Sequence, residues 1–510
     1  MKIRHILITL FIVTCCPNFT GYARADIKNA MVKIYTVYNS HNYREPWQMW
    51  GQQSYQGSGC IIRGNRILTN AHVVSDQTYI QVRRAGDARK YTAALEMVAH
   101  ECDLAVLTVK DTAFFSGVTP LRIGRLPQVK DKVAVYGFPE GGDRLSITEG
   151  VVSRVEHSSY THSGAYLLAC QIDAAINSGN SGGPVIQENR VVGVAFQEMA
   201  GENVENIGYM VPAPVIKRFL RDMEDGRYDG TPDLCVSLQK MENPALRRMH
   251  GMSDAHSGVM VNRIYPDSPV QGILRRGDII LSVEGKNVAN DGTIEFREGE
   301  RTFLGYAIQS KFIGDEAHLG ILRDGRLMKV TVPLTRPIDF GRLVPHDRYD
   351  VPPTYYIVGG FVFEPLTVNY LKDFGSQSDW FLYAPTELLN LYYNGEPEED
   401  RRQVIVLVKV LADEVNIGYH ELVDKVVCEV NGVRISRIED LVRAFEENRG
   451  RYHVIRDSKG FELVLDRRKA VESTKRILQK YRIPADRSQD LVRSHTVSEK
   501  VGEGRPGTAE

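Results

Sequence analysis

A serine surrounded by glycines is the part of this sequence best suited to chemistry. Ser181 lies in the run 179–184, Gly-Asn-Ser-Gly-Gly-Pro, shortly after the alternating apolar stretch 168–176. A nucleophilic serine needs backbone N–H groups that converge on the oxyanion formed during attack, and glycine gives a loop the backbone freedom to provide them. A glycine-rich turn without chemistry has the same composition. The hexapeptide alone therefore leaves both interpretations open.

Two segments upstream could supply partners for Ser181. His72 lies in Thr-Asn-Ala-His-Val-Val after the apolar run 60–68, and Asp103 begins Asp-Leu-Ala-Val-Leu. The chain order His, Asp, Ser is one of the orders in which a catalytic triad occurs. In such a triad the imidazole takes the serine proton, and a buried carboxylate fixes the imidazole tautomer. Each residue has an ordinary structural interpretation alone, but their joint occurrence predicts a triad.

These segments together resemble the trypsin-like serine proteases of the HtrA/Deg family. The resemblance rests on Gly-Ser-Gly at 57–59, Thr-Asn-x-His at 69–72, Asp-Leu-Ala at 103–105 and Gly-Asn-Ser-Gly-Gly-Pro at 179–184, all present and in order. It continues into the strand-like stretch 192–197 and into 206–209. The resemblance implies a mainly β fold, with a trypsin-like double β-barrel followed by two PDZ-like α+β domains.

The resemblance also implies the role of each site residue. His72 matches the general base, Asp103 the residue that orients it, and Ser181 the nucleophile. The backbone N–H groups of Gly179, Asn180 and Ser181 match the oxyanion hole.

A specificity pocket for a small or medium aliphatic side chain is expected from the same resemblance. The base of the pocket lies six positions before the nucleophile, at Ala175, with Ile176 beside it and with Ile207 and Gly208 on the wall. A bound lysine or arginine would lose its water there without gaining a carboxylate partner.

Length and composition restrict the possible classes of protein. A chain of 510 residues implies about three domains, and its 43% hydrophobic and 25% charged content is ordinary for globular proteins. The net charge of −1 gives no basis for nucleic-acid binding. The sequence has no internal run long enough to span a membrane, no GxxxxGK[ST] loop and no zinc-ligand spacing, so we expect no cofactor and no metal.

The N-terminal segment resembles a secretory signal peptide. Lys2 and Arg4 precede the apolar stretch 6–16, and the run 23–25 has a small-x-small pattern. We therefore predict a signal peptide over 1–25 and an exported protein, most simply periplasmic. A retained anchor helix, or a lipid on Cys15 or Cys16, is left open.

The remaining cysteines and several histidines have no predicted function. Five of the seven cysteines follow residue 25, and their odd number and scatter predict buried free thiols rather than a disulfide framework. His100, His157 and His162 lie among polar residues and are expected at the surface.

The protease-like domain is predicted over 26–228. It has many short strand-like runs separated by glycine-rich turns, and a helix is expected to close it at 214–224. A polar stretch at 39–57 carries Trp47 and Trp50. It could lie over the active site or contact a partner.

A PDZ domain is predicted over 229–336, from the unit Ser-Pro-Val-Gln-Gly-Ile-Leu-Arg-Arg-Gly-Asp-Ile-Ile at 268–280. PDZ domains bind a peptide C-terminus through loop N–H groups and add the peptide as a strand. The corresponding loop is Leu234-Cys235-Val236, in which Cys235 replaces the usual glycine. Peptide capture and a purely structural edge strand both remain open.

A second, divergent PDZ-like domain is predicted over 341–470. Val423 replaces its usual glycine, and an insertion at 371–402 is long for this fold. The pattern resembles the plant-type Deg proteases and favours an assembly or regulatory role over peptide binding. A helical tail at 471–510, disordered from about 497, follows.

The function implied by the resemblance is an ATP-independent serine endopeptidase that degrades unfolded or damaged proteins. The alternative is a chaperone or peptide-sensing protein that holds clients with little cleavage. The family also implies a trimer-based homo-oligomer. The alternative is a monomer with two tethered, idle domains.

Overall fold

The computed structural model describes residues 27–201, 204–338, 340–376 and 379–492, with side chains described at all of these except 197–201 and 204–206. The predicted signal peptide and the end of the predicted tail lie outside the described residues.

The first barrel is a closed sheet with the strand order β1-β2-β3-β6-β5-β4. Its strands alternate so that residues such as Ile34, Leu68 and Val106 are buried inside. Gly59 allows β2 to pass close to β3, since a Cβ there would lie 2.9 Å from the Leu68 carbonyl oxygen. The strands are β1 Met31–Tyr38, β2 Gln53–Ile62, β3 Arg66–Thr69, β4 Gln77–Arg84, β5 Tyr91–Ala99 and β6 Leu104–Val109.

The second barrel is a sheet in the order β11-β8-β9-β10-β13-β12-β7, closed by an additional pairing of β11 with β12. Helix α1 packs on it through Ile216 and Phe219, near the position predicted from the sequence. The elements are β7 Arg122–Ile123, β8 Lys132–Gly137, β9 Ser146–Ser159, β10 Tyr166–Ile172, β11 Pro184–Gln187, β12 Arg190–Gly201, β13 Val204–Pro212 and α1 Ala213–Asp222.

The first PDZ-like unit has a sheet in the order β14-β15-β16-β20-β21, with a core that includes Val261, Ile280 and Ile321. The elements are β14 Val236–Lys240, α2 Pro244–Met249, β15 Val259–Ile264, β16 Ile279–Val283, β17 Lys286–Asn287, β18 Thr293–Arg297, β19 Glu300–Phe303, α3 Gly305–Gln309, β20 Glu316–Arg323 and β21 Arg326–Pro333.

The second PDZ-like unit has a sheet in the order β22-β23-β24-β25-β27-β28. The long insertion predicted at 371–402 carries two helices, Trp380–Tyr383 and Thr386–Asn394. The elements are β22 Tyr356–Val358, β23 Phe361–Pro365, α4 Val368–Lys372, α5 Trp380–Tyr383, α6 Thr386–Asn394, β24 Ile405–Val410, β25 Lys425–Val430, β26 Val433–Arg434, α7 Ile438–Glu446, β27 Tyr452–Asp457, β28 Glu462–Asp466 and α8 Arg467–Tyr481.

This second unit extends beyond residue 470, where the sequence analysis ended it. Helix α8 buries Ala470 and Ile477 against the unit. After the helix, the Asp486 carbonyl accepts from the Ile357 N–H at 2.6 Å. The segment predicted as a tail is therefore part of the fold up to the last described residues. The expected mainly β architecture, a double barrel followed by two PDZ-like α+β units, is confirmed.

The loop between β1 and β2 joins the protease-like domain to the second PDZ-like unit. Tyr43 is buried in that unit's core, and the Arg44 guanidinium lies 4.1 Å from the centre of the Phe374 ring. Lys409 Nζ and Glu45 Oε1 form an ion pair at 2.9 Å. Ser40, His41 and Trp50 of the same loop line the cleft that also contains His72, as expected for a loop over the active site. The contact of this loop with the second PDZ-like unit lies within the same chain.

His157 lies at the contact between the second barrel and the first PDZ-like unit. Only 6% of it is exposed, and its ring nitrogens lie 2.7 Å from Thr302 Oγ1 and 3.0 Å from Gln309 Oε1. Desolvation by burial lowers the pKa of His157 to about 4. The expectation of a surface position is wrong for His157, and also for His162, which is 8% exposed. Their polar sequence neighbours do not reveal that another part of the chain covers them.

We predict that His157 makes the stability of the chain depend on pH. With a pKa of about 4 in the folded state and about 6.5 when unfolded, the unfolded chain binds the proton first as the pH falls. The free energy of unfolding should therefore fall by about 2 kcal/mol between pH 7 and pH 5 on this account. Urea unfolding of wild type and His157→Gln at both pH values measures the difference.

The exposed histidine His318, which contacts Thr331 in a similar way, supplies the control variant His318→Gln. An equal pH dependence in wild type and His157→Gln would contradict the assignment.

Candidate active site

The carboxylate of Asp103 holds His72 at two points. Asp103 is fully buried just before β6, and its Oδ2 lies 2.8 Å from His72 Nδ1. Its Oδ1 accepts the backbone N–H of His72 at 2.9 Å. Because an ionised carboxylate only accepts, the proton of a neutral His72 lies on Nδ1, and Nε2 is left free to accept one.

Asp103 itself has an unusual backbone conformation. Its φ of 52° lies in the left-handed region, which aspartate enters more readily than most residues. Its carbonyl accepts from the Asn70 side-chain amide at 2.7 Å, and its N–H donates to the His100 carbonyl at 3.1 Å. Asn70 was noted only as part of the Thr-Asn-x-His motif, and the structure shows that it anchors this bend.

Ser58 shapes the loop that carries Ser181. The Ser58 N–H donates to the Ser181 carbonyl at 2.8 Å, and the Ser58 hydroxyl donates to the Gly179 carbonyl at 2.7 Å. The hydroxyl also accepts from the Phe138 N–H at 2.8 Å. Any side chain at Gly182 would overlap the Ser58 carbonyl, so a glycine is required there. The Gly-Ser-Gly motif of β2 thus fixes the backbone of the loop that carries Ser181.

Two of the three N–H groups expected to form an oxyanion hole are available. Those of Gly179 and Ser181 donate to no acceptor within the described part of the chain, whereas Asn180 donates to the Asn177 carbonyl at 2.9 Å. The expectation for Asn180 therefore needs correction, because its N–H closes the turn instead. The Ser178 carbonyl accepts from the Glu140 N–H at 2.8 Å. Because the peptide bond between Ser178 and Gly179 is trans, the Gly179 N–H points away from Glu140.

Tyr55 contacts the proposed base. Its ring packs edge-on against His72 with centroids 6.2 Å apart. Burial raises the pKa of Tyr55, and an interaction with the Ser181 side chain opposes the rise. No hydrogen bond joins Ser181 to His72 among the described side chains.

His72, Ser181 and Asp103 border one cleft of about 670 Å³. Residues of the second PDZ-like unit and of the segment before it form part of the wall, which the sequence did not predict. These residues are Asp347, Arg348, Tyr349, Asn369, Lys372 and Asp373.

The residues predicted for the specificity pocket are only partly brought together. Ile176 is buried and borders the cleft, and its Cδ1 lies 2.6 Å from the position that a Cβ at Gly208 would take. Ile176 thus fills the space left by the missing side chain of Gly208. Ala175 is half-buried, with its carbonyl bonded to the Thr148 hydroxyl at 3.0 Å, and Ile207 packs against the protease-like core. Neither is among the residues that line the cleft.

The predicted peptide loop of the first PDZ-like unit keeps the conformation of its missing glycine. Cys235 is buried with a φ of 54°, in the left-handed region that glycine would favour. Leu234 is buried, and Val236 begins β14, whose second edge pairs with no strand in the described ranges. Desolvation raises the pKa of Asp233 to about 6, and hydrogen bonds from the N–H groups of Leu234 and Cys235 oppose the rise. Asp233 therefore already uses two N–H groups of this loop.

Neither a metal site nor a membrane helix is found in the described ranges. No group of three His, Cys, Asp or Glu side chains there is arranged to hold a metal ion, and no helix there is long and apolar enough to cross a membrane. Of the five cysteines described, Cys428 is exposed, unlike the buried thiols expected; the other four are buried and free, at 60, 102, 170 and 235.

Comparison with family models divides the chain into three parts. Residues 57–194 match the trypsin-like peptidase domain, and residues 232–334 and 344–490 each match the PDZ domain.

Relatives similar to this chain cover nearly all of it. Protease Do-like 2, chloroplastic, of Arabidopsis thaliana is 40% identical over 92% of this chain and 76% of its own length. Protease Do-like 4, mitochondrial, of the same plant is 39% identical over 93% of this chain and 87% of its own length. Among solved structures, the HtrA-type protease AlgW with decapeptide is 24% identical, covers 62% of this chain and 97% of its own, and has a TM-score of 0.47.

The expectation of a periplasmic location is wrong. Three relatives that match over 91% to 93% of this chain are described as chloroplastic or mitochondrial proteins. A basic, apolar N-terminus with small residues is insufficient to distinguish export from delivery to an organelle.

We predict that Gly179→Ala disables the serine loop. The φ of Gly179 is 92°, and a Cβ there would lie 2.5 Å from the Phe138 carbonyl oxygen and 2.7 Å from the Glu140 nitrogen. Displacing one N–H of an oxyanion hole costs roughly 10²-fold in rate. We expect the reaction of Ser181 with a small fluorophosphonate probe to slow by at least about tenfold on that basis.

Gly117→Ala is the matched control, since Gly117 also has a positive φ, of 71°, but has open space around its Cβ position. Equal labelling rates for Gly179→Ala and wild type would show that this loop does not form the hole.

Proposed function

Because this chain belongs to the Deg/HtrA family of trypsin-like serine endopeptidases, we propose that His72, Asp103 and Ser181 perform its peptide-bond cleavage. Ser181 Oγ attacks the substrate carbonyl, and His72 Nε2 takes the hydroxyl proton and returns it to the leaving amine. Asp103 holds the imidazole in the required tautomer and stabilises the imidazolium that forms.

This proposal rests on the two hydrogen bonds between the Asp103 carboxylate and His72. A buried ionised carboxylate is costly unless it is paired, and the ring and backbone N–H groups of His72 pair both of its oxygens. When His72 takes a proton during attack, the same carboxylate faces a full positive charge. The carboxylate thus stabilises the imidazolium that forms during attack.

The Ser181 hydroxyl must meet His72 Nε2 before attack. No hydrogen bond joins these two described side chains in the substrate-free site, and a rotation about χ1 of Ser181 turns the hydroxyl toward Nε2. Catalytic hydrogen bonds often become short only when substrate is bound. The N–H groups of Gly179 and Ser181 then stabilise the oxyanion, as the two donors left unpaired.

The proposed substrates are unfolded or damaged proteins, cut without ATP. The cleft is bordered on one side by the barrels and on the other by the second PDZ-like unit, so an extended chain fits better than a folded surface. Cleavage of an extended chain needs no motor. A trimer-based homo-oligomer stays a prediction from the family resemblance.

Capture of peptide C-termini by the first PDZ-like unit also remains a proposal. The unpaired edge of β14 and the glycine-like conformation of Cys235 support it. A peptide carboxylate would have to displace Asp233 from the N–H groups of Leu234 and Cys235.

A small or medium aliphatic side chain is the proposed preference before the scissile bond. Ile176 fills the space over Gly208 and leaves a shallow apolar floor. This floor offers no carboxylate to a lysine or arginine, which would be desolvated without a partner.

We predict that Ser181→Ala abolishes cleavage and leaves the fold intact. Loss of the nucleophilic hydroxyl should lower the rate of casein digestion roughly 10⁴-fold or more. Ser178→Ala, which changes an exposed serine of the same cleft, is the control and should stay near wild type. Casein digestion by Ser181→Ala at the wild-type rate would refute the assignment of the nucleophile.

We predict that Ile176→Ala deepens the pocket. Removing the side chain above Gly208 should raise kcat/KM for leucine or phenylalanine, relative to alanine, by about tenfold at the position before the scissile bond. A peptide library resolves the preference, with Ile207→Ala as the control because Ile207 does not line the cleft. A wild-type preference for lysine or arginine would show that the pocket lies elsewhere.

A further inference from the structure

The segment between the two PDZ-like units crosses the loop that joins β9 and β10. Arg342 Nη2 donates to the Gly164 carbonyl at 3.0 Å, and the His346 ring occupies the space that a side chain at Gly164 would need. The Tyr349 hydroxyl donates to the His162 carbonyl at 3.0 Å. Three side chains of this segment, which we call the interdomain segment (342–350), thus fix one loop of the protease domain.

Tyr349 lies one side chain away from the proposed catalytic base. Its ring stacks on His162 with centroids 4.0 Å apart and planes at 18°, and it also stacks on His100 at 4.9 Å. The His162 ring in turn lies 6.0 Å from the His72 ring. Ring contacts therefore run from Tyr349 through His162 to His72, the first of them stacked and the second tilted at 54°.

A chain of hydrogen bonds fixes the same side chains. His162 Nε2 lies 3.0 Å from His100 Nδ1, and His100 Nε2 lies 2.8 Å from Asp350 Oδ2. Since the Asp350 carboxylate only accepts, a neutral His100 carries its proton on Nε2 and accepts from His162 Nε2–H.

Asp350 also connects the interdomain segment to the loop that carries His72. The N–H of Asp76 donates to Asp350 Oδ1 at 2.7 Å, and the N–H of Asp350 donates to Asp76 Oδ1 at 2.8 Å. The interdomain segment is therefore tied both to the loop before β10 and to the loop after β3.

We propose that Tyr349 is a positioning residue of the active site, which holds His162 and its loop as the wall of the cleft beside His72. This inference rests on the proposed function, because it assigns a role relative to the proposed triad. It makes the second PDZ-like unit a structural part of the catalytic cleft. The interdomain segment borders the cleft rather than filling it, since 21% of the His72 side chain is exposed with Tyr349 in place.

The stacked Tyr349 ring helps to keep His162 uncharged. Desolvation lowers the pKa of His162 well below its ordinary value, and nearby titratable groups lower it further. A neutral His162 places no second positive charge near His72 when His72 takes the serine proton. The groups facing His162 are His100, His72, Lys372 and His346, with the Tyr349 phenol stacked on it and the Asp350 carboxylate beyond His100.

The test is the steady-state kinetics of Tyr349→Ala on a short peptide substrate across pH 5 to 9. We expect kcat/KM at pH 8 to fall about tenfold, as for a small misplacement of an active-site wall. We also expect a second ionisation on the acid side of the pH profile, because an exposed His162 regains an ordinary pKa near 6.5. Tyr349→Phe keeps the stack and loses the hydrogen bond. Its kcat/KM should therefore fall by about two- to fivefold, and its pH profile should show a single ionisation on the acid side. Tyr383→Ala, at an exposed tyrosine of the same unit, is the control.

The double variant Tyr349→Ala/His162→Gln separates positioning from a general loss of structure. The second ionisation should disappear in the double variant, since His162 is its source. The free-energy equivalent of its loss in kcat/KM should be smaller than the sum for Tyr349→Ala and His162→Gln measured singly. Unchanged kinetics in Tyr349→Ala, a second ionisation that persists in the double variant, or a rise in kcat would each overturn the proposal. The last result would mean that the interdomain segment inhibits the enzyme.

Two further measurements keep the outcome interpretable. If Tyr349→Ala unfolds by circular dichroism, the kinetics of Tyr349→Phe decide, and wild-type values for that variant would overturn the proposal. Fluorophosphonate labelling of wild-type Ser181 tests the proposed function separately. Failure of that labelling would refute the triad, whereas failure of the Tyr349 proposal leaves it intact.

Discussion

The burial of one carboxylate constrains the whole protease domain. Asp103 is fully buried, and an ionised group in that position must have each oxygen paired. His72 supplies both donors, one from its ring and one from its backbone, and this fixes the loop after β3 against the start of β6. The left-handed bend at Asp103 and the Asn70 amide on its carbonyl complete the arrangement. Since the first barrel holds this pair and the second holds Ser181, the two barrels must meet in one geometry for the site to exist.

The sequence predicted well what short segments determine. The motifs at 57–59, 69–72, 103–105 and 179–184 are short runs that can be recognised alone, and the fold brings them into contact, as where the Ser58 hydroxyl donates to the Gly179 carbonyl. The spacing of apolar strands and glycine turns favoured a double barrel, and the resemblance of runs such as 268–280 to PDZ domains predicted the two PDZ-like units. Even the loss of the PDZ glycine was compensated locally, because Cys235 adopts the left-handed conformation that glycine would have taken.

The sequence failed where burial is imposed by a distant part of the chain. His157 and His162 lie among polar neighbours, and only the first PDZ-like unit and the interdomain segment, respectively, cover them. The role of Asn180 was misjudged because the direction of a single N–H depends on the turn closed by Asn177. The boundary at residue 470 was misplaced because α8 is charged along most of its surface and buries only a narrow face. For the two histidines and for α8 the deciding contact joins distant residues, whereas for Asn180 it is the geometry of a local turn; the residue pattern encodes neither.

The second PDZ-like unit is attached to the protease domain by two contacts of different physical character. The loop between β1 and β2 inserts Tyr43 into an apolar core, and the Glu45–Lys409 ion pair and the Arg44 guanidinium over the Phe374 ring lie beside it. The interdomain segment instead meets the protease domain through aromatic stacking and hydrogen bonds, with Tyr349 on His162 and the Asp350 carboxylate on His100. The first contact attaches the unit to the first barrel through buried apolar surface, whereas the second fixes single side chains beside His72. One contact therefore holds the unit in place, and the other shapes the wall of the cleft.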